Sequence, residues 1–223
     1  VAQNAAAADL RLAAEELARI DAAFPLKARK ELPPIVDFDA VFIPDFARTV
    51  TLIAPALAVE DVVTTCEPRE LERIRKASAW EVRPVQLLGG NGWDDPALFE
   101  KAGRYVECAV FVDGFFAGSE RPATKGFAQA FQQRFGRVPS ILEASAYDAT
   151  RMIVQAVQKE GAEGRLAVRA ALAGLRGFSG ATGDISFEGR GEPVRSLFFL
   201  TVDKSGVREM LPAEMAGPGL LAP

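Results

Sequence analysis

Three short loops carry the side chains that could do chemistry. Pro44-Asp45-Phe46, Gly89-Gly90-Asn91-Gly92-Trp93 and Asp113-Gly114-Phe115-Phe116 each follow a short apolar run. Together they offer two carboxylates, an amide, aromatic faces and flexible backbone. Aromatic walls suit the apolar part of a small ligand, carboxylates suit an amine, and glycines allow close backbone approach. Asp45 and Asp113 could also serve as paired carboxylates, but no nucleophile or oxyanion site is identifiable beside them. The glycine run lacks the Lys-Ser/Thr of a Walker loop, and Asp95 stands where a dinucleotide fingerprint needs its third glycine. Each residue also has a structural reading. Asp45 can cap a helix beginning near Phe46, Gly89 to Gly92 can be a turn, and Trp93 can pack on a sheet edge.

Composition narrows the chemistry. The 223 residues contain no histidine, which removes Ser-His-Asp and Cys-His nucleophilic sites and His-ligated metals. Carboxylate, lysine, tyrosine or cysteine chemistry remains open, yet the commonest general base is gone, so a binding protein is expected ahead of an enzyme. No cofactor is expected. Cys66 and Cys108 cannot form a four-thiolate zinc site. They make either one disulfide in an oxidising compartment or a loop thiol and a separate buried strand thiol. A net charge of −4 argues against a nucleic-acid partner. No apolar run is long enough to cross a bilayer. Val1 to Ala8 has neither Met nor a charged region ahead of an apolar core, so it does not read as an intact signal peptide.

The elements that must position the three loops can be read from apolar spacing. Leu10, Ala13, Leu17, Ile20 and Phe24 make one stripe on a helix over 4–24, ended by Pro25 and Pro33-Pro34. Phe38 to Ile43, Pro84 to Leu88 and Val106 to Val112 read as buried strands. Between them, 46–59 and 67–79 read as helices, the first carrying a disruptive Pro55, and Pro96 suits the first turn of a third. Strands alternating with helices imply βαβ units, hence an α/β fold with a parallel sheet flanked by helices on both faces. In such sheets ligands bind beyond the carboxyl ends of the strands, where the three loops lie. After Pro122 the pattern turns helical over 123–135, 142–159 and 165–175. It returns to β at 184–187 and 196–202, with Asp203 to Gly206 as a hairpin turn.

The order of motifs resembles the second lobe of type I periplasmic solute-binding proteins, most closely the branched-chain amino acid group. The resemblance rests on strand, Pro44-Asp45, helix, strand, Gly-Gly-Asn-Gly, helix, strand. It continues through Phe127 to Gln158, with Gly136-Arg137-Val138-Pro139 and Tyr147-Asp148-Ala149, and through Thr182-Gly183-Asp184-Ile185-Ser186-Phe187. It covers about 37–207. Phe-Ile-Pro-Asp and Leu-Leu-Gly-Gly-Asn-Gly-Trp look most like extracellular ligand-binding receptors and penicillin-binding protein activator-like lipoproteins.

The resemblance implies a Rossmann-like lobe, incomplete at its amino end, that works outside the cytoplasm with a lipid anchor in the fuller protein. It implies a small polar, amino acid-like ligand and a membrane permease of the ABC type; a cell-envelope protein partner is the alternative. Phe46 falls near an aromatic ligand contact of the amino acid binders, and Tyr147 and Asp148 fall on a helix at the lobe junction. Asn91 stands where many members place a Glu for the ligand's ammonium, and a neutral amide makes no such charge-assisted bond. The expected ligand-binding set is Asp45, Phe46, Asn91, Gly92, Trp93, Asp113, Phe115 and Tyr147. The expected division is 1–36 helix and linker, 37–118 ligand-binding lobe, 119–178 helices toward the second lobe, 179–211 β segment returning to the sheet, and 212–223 tail.

Overall fold

The computed structural model describes residues 35–159, 161, 163–189 and 191–216, together with Glu15, Glu16 and Arg19, which are helical. The rest of the helix expected over 4–24 lies outside the described residues, as does the tail beyond 216.

Two β-α-β passages build the sheet that carries the three loops. Strand β1 (Ala40–Ile43) leads into helix α1 (Ala47–Val59) and helix α2 (Pro68–Ala77). Strand β2 (Gln86–Gly89) follows, then a single 3-10 turn over Asn91–Trp93, helix α3 (Pro96–Ala102), a second 3-10 turn over Gly103–Val106 and strand β3 (Val110–Asp113). β1, β2 and β3 are parallel, with Val41 opposite Leu87 and Leu88 opposite Val110. Late in the chain, strands β7 (Phe198–Asp203) and β8 (Gly206–Glu209) add antiparallel to β3, giving the order β1-β2-β3-β7-β8. The expected hairpin turn is present: Asp203 Oδ1 accepts from the Ser205 N–H at 2.7 Å, and Gly206 sits at φ 121°.

Residue type explains why α1 forms and where it stops. Ala47, Val50 and Ala54 lie on one buried face, with Ile53 and Leu57 packed beside them. The helix runs through Pro55 as one element. It ends where Glu60 donates to Ala56 and Leu57 and Asp61 turns left-handed at φ 60°. α3 starts on the expected signal, with the Asp95 side chain accepting from the Ala97 N–H at 2.8 Å and Pro96 in the first turn.

α1 and α3 cover one sheet face, burying Leu87, Phe111, Leu200 and Val202 against Val50, Ala54, Leu98 and Ala102. Each large aliphatic or aromatic side chain buried this way contributes about 1.5–3 kcal/mol. On the opposite face Phe42 and Phe199 are exposed, and Leu88, Val110 and Val112 are half-buried. Cys66, just before α2, is bonded to Cys108, just before β3, with 5.9 Å between their Cα atoms. Of the two possibilities open in the sequence, the structure adopts the disulfide.

The remaining elements form a second layer. Helices α4 (Pro122–Phe135), α5 (Ile141–Lys159) and α6 (Gly164–Gly174) precede a separate antiparallel sheet of β4 (Phe178–Gly180), β5 (Gly183–Phe187) and β6 (Pro193–Arg195). The expectation that 179–211 returns as one segment is therefore corrected. Only 198–209 joins the first sheet, while β4 to β6 pair with each other and bury Phe178 and Ile185 against Met152 of α5. The chain ends its described part in a short helix, α7 (Pro212–Ala216).

Candidate functional site

The carboxyl ends of β1, β2 and β3 meet as a ledge. Phe46 opens α1 with an extended backbone and a side chain that is 73% exposed. Asn91, in the turn after β2, is also exposed. Gly92 joins the two loops. A Cβ at that position would lie 3.0 Å from Phe46 Cδ1 and 3.2 Å from the Asp45 carbonyl oxygen, so glycine lets the β2 turn sit closely against Asp45 and Phe46, and a side chain there would push it away by a few tenths of an ångström. Asp45 is exposed and accepts from the Phe46 N–H at 2.6 Å. It does not cap α1, whose first residue finds no side-chain cap.

Two members of the expected set face inward. Trp93 is fully buried: its indole N–H donates to the Ile43 carbonyl at 3.1 Å, and its ring lies 5.9 Å from that of Phe111. It reaches this place because Gly89 has no side chain; a Cβ there would stand 2.3 Å from the indole. Phe115 is 3% exposed and meets Phe127 edge-on at 6.0 Å, inside a cluster with Ala144 and Ala181. Both were expected to wall a ligand. Neither has surface to offer one, and both are packing residues.

Asp113 is buried at 7% exposure on the helix-covered side of β3. Its Oδ1 accepts from the Gly114 N–H at 2.5 Å and the Phe115 N–H at 3.2 Å, bonds that fix the turn. Burial holds its carboxyl above the usual range, against the pull of those two bonds. Asp94, between the Trp93 turn and the start of α3, belongs with it. Although part of the residue faces solvent, desolvation first, then the charges of Asp113 and Asp95, push the Asp94 carboxyl up to about 6. Four carboxylates, Asp45, Asp94, Asp95 and Asp113, thus lie along the ledge, and among the described residues none of them has an ion-pair partner. The sequence signal was present, since Asp94 directly follows the Trp that anchors the turn.

Tyr147 lies in the second layer. Its ring stacks at 4.7 Å on Phe127, the Arg151 guanidinium lies 5.5 Å from it, and it stays 41% exposed. Its link to the ledge runs through Phe127 and Phe115; no direct contact joins it to Phe46 or Asn91. The neighbouring Asp148 is structural. It is 1% exposed and accepts from the Ala181 N–H at 2.8 Å, the Thr182 N–H at 2.8 Å and the Thr182 hydroxyl at 2.7 Å, which pins the β4-β5 turn to α5.

Two sizeable cavities lie elsewhere. A hollow of about 740 Å³ is lined by Gln86, Glu107, Cys108, Thr201 and Lys204 among others, and one of about 380 Å³ by Val63, Tyr105 and Glu107. Both sit at the amino ends of the parallel strands, opposite the ledge. Several of the lining charges pair with each other, Lys204 with Glu67 at 2.8 Å and Arg208 with Asp203 and Glu214. Among the described residues no group of His, Cys, Asp and Glu could hold a metal.

An α/β layer whose strand ends present an exposed aromatic ring and amide beside uncompensated carboxylates has the make-up of a ligand-recognition lobe. The periplasmic binding protein family model matches residues 71–207, and the chain belongs to that family. Solved structures agree on the fold. A Rhodospirillum rubrum protein provisionally assigned as a branched-chain amino acid ABC transporter is 22% identical with a TM-score of 0.63, over 77% of this chain and 44% of its own. A leucine binding protein from Thermotoga maritima is 22% identical with a TM-score of 0.52, over 79% and 45%. A branched-chain amino acid transporter substrate binding protein from Streptococcus pneumoniae, solved with isoleucine, is 20% identical with a TM-score of 0.51, over 86% and 48%. The chain thus spans less than half the length of these proteins. Among curated proteins none matches it. Members of this family work outside the cytoplasm, a setting in which the Cys66–Cys108 disulfide persists.

Proposed function

We propose that the chain is part of the solute-binding component of an ABC-type uptake system, and that Phe46 and Asn91 on the ledge contact an amino acid or a related small polar solute. The observation that carries this reading is the pairing of exposed Phe46 with exposed Asn91, fixed by the seat of Gly92 against Asp45 and Phe46. An exposed ring held on a helix start is available to cover the apolar part of a solute. Asp45 and Gly92 shape the wall, while Asp94 and Asp113 supply the negative potential that the Asn91 amide lacks. Tyr147 contributes through the junction of the layers, not through the ledge. The isoleucine seen in the Streptococcus pneumoniae neighbour supports a ligand of this size and polarity.

In this reading the module binds its solute without transforming it, and a membrane permease receives it. Residues 37–118 with 198–209 form the lobe, and the helices of 119–178 belong toward a second lobe. A thermal-shift panel of amino acids, amides, small carboxylates and cell-wall peptides tests the proposal, because a ligand that binds only the folded state raises Tm. A shift lost in Phe46→Ala and in Asn91→Ala supports it. The absence of any shift overturns it in favour of a cell-envelope interaction protein.

A further inference from the structure

The first sheet with α1 and α3 and the second layer of α4 to α6 with β4 to β6 do not share a core. Their buried apolar clusters are separate, and no element of one packs extensively on an element of the other. The chain passes between them twice, at 114–121 after β3 and at 196–197 between β6 and β7. At that place one side chain ties both passages together. Arg121, from the first crossing, donates through Nε to Glu209 Oε1 of β8 at 2.8 Å, with a second guanidinium nitrogen 2.7 Å from the same oxygen. The same guanidinium donates to the Leu197 carbonyl at 3.0 Å and approaches Ser196 Oγ at 3.5 Å, both in the second crossing. It also lies 4.0 Å above the Phe198 ring.

The other end of each group is fastened too. Ser119 Oγ donates to Glu209 Oε2 at 2.5 Å, so both carboxylate oxygens are engaged by the first crossing. Ser196 Oγ accepts from the Asp184 N–H of β5 at 2.8 Å, and Gly183 leaves room for it, since a Cβ there would meet Ser196 Oγ at 2.6 Å. One network therefore touches both crossings, the first sheet through Glu209 and the second layer through Asp184.

We infer that Arg121 and Glu209 form a latch that binds the two crossings into a single hinge and sets the angle between the two layers. With no shared apolar core, that angle depends on polar contacts, and this is the densest set between them. The latch rests on the solute-binding reading only for its use, since a hinge angle governs how a ledge meets an opposing wall. Arg121 and Glu209 are positioning residues and touch no solute.

The test is a distance measurement on the solute-free protein. Spin labels at Lys76→Cys on α2 and Arg165→Cys on α6, both exposed, report the angle by pulsed electron resonance, and the native cysteines are paired. In Arg121→Ala or Glu209→Ala the distance distribution broadens, with unlatched species rising about tenfold, as expected for losing a partly exposed charge-assisted bond set. The double variant broadens no further than either single one, and amides in both cores stay slow to exchange. Arg121→Lys and Glu209→Gln, which fold more readily, show the same broadening to a smaller degree, and they decide the matter if the alanine variants do not fold. An unchanged distribution in folded variants overturns the latch. So does exchange that speeds up throughout both cores, which would make the network merely structural. Broadening in the variants of a protein that binds no solute in the native form would count against the functional reading and leave the latch standing.

Discussion

Removing the Asp148 carboxylate should cost about as much as any single change in the second layer. The group is 1% exposed and takes bonds from Ala181 N–H, Thr182 N–H and Thr182 Oγ at 2.8, 2.8 and 2.7 Å. Asp148→Ala leaves those three donors without a partner, and each unmet buried donor costs about 1–3 kcal/mol. Water entering the space recovers part of that, so the net loss is set at about 3–5 kcal/mol. Asp148→Asn keeps the volume and one accepting oxygen, and falls between the alanine variant and the native protein. Thr182→Val removes only the hydroxyl bond and costs about 1 kcal/mol. Urea unfolding at constant m-value reads all three. The reasoning fails if Asp148→Ala and Asp148→Asn both stay within about 1 kcal/mol of the native protein.

Three further outcomes follow from the same geometry. Breaking the Cys66–Cys108 bond, which closes a separation of 42 residues, should cost about 4 kcal/mol by loop-closure entropy, read as a lower urea midpoint in reductant; an unchanged midpoint in fully reduced protein would contradict it. Gly89→Ala drives a methyl into the Trp93 indole and should lower Tm far more than Gly90→Ala, beside which nothing lies within 4 Å; equal effects would mean that Trp93 is not seated as described. Stability should fall as pH rises from about 5 to 7. The Asp94 pKa is raised in the folded state, so the unfolded state gives up its proton first. The raised Asp113 carboxyl adds in the same sense, while Glu143 and Glu214, held at about 2, act with the opposite sign up to about pH 5, where their unfolded forms finish titrating. With no histidine to titrate nearby, Asp94→Asn should flatten the slope between about pH 5 and 7, and urea midpoints at those two pH values check it.

The residues show why part of this was legible beforehand. The parallel strands announced themselves because apolar runs stop at Pro44, Gly89 and Asp113, and helix α3 because Asp95 and Pro96 carry opposite halves of a start signal. Trp93 was misplaced for a reason that spacing does not reveal. Its ring goes inward because Gly89, four residues earlier on the strand, leaves a hole of the right size. Phe115 likewise turns toward Phe127, a residue of the second layer that periodicity assigns only to its own helix. The partition of the late strands was also hidden, since alternation along β5 and β7 looks alike while their partners differ. The raised carboxyl of Asp94 is not legible in spacing because it comes first from burial in the folded ledge and then from the charge of Asp113, nineteen positions away.

The most direct test of the central claim is calorimetric titration of the native protein with the solute found in the thermal-shift panel, beside Phe46→Ala and Asn91→Ala. Losing an aromatic contact or a hydrogen bond made only to solute should weaken binding roughly tenfold or more in each, with Tm of the free protein within a few degrees of native because both side chains are exposed. Binding at native affinity in both variants would contradict the account and move the site off the ledge.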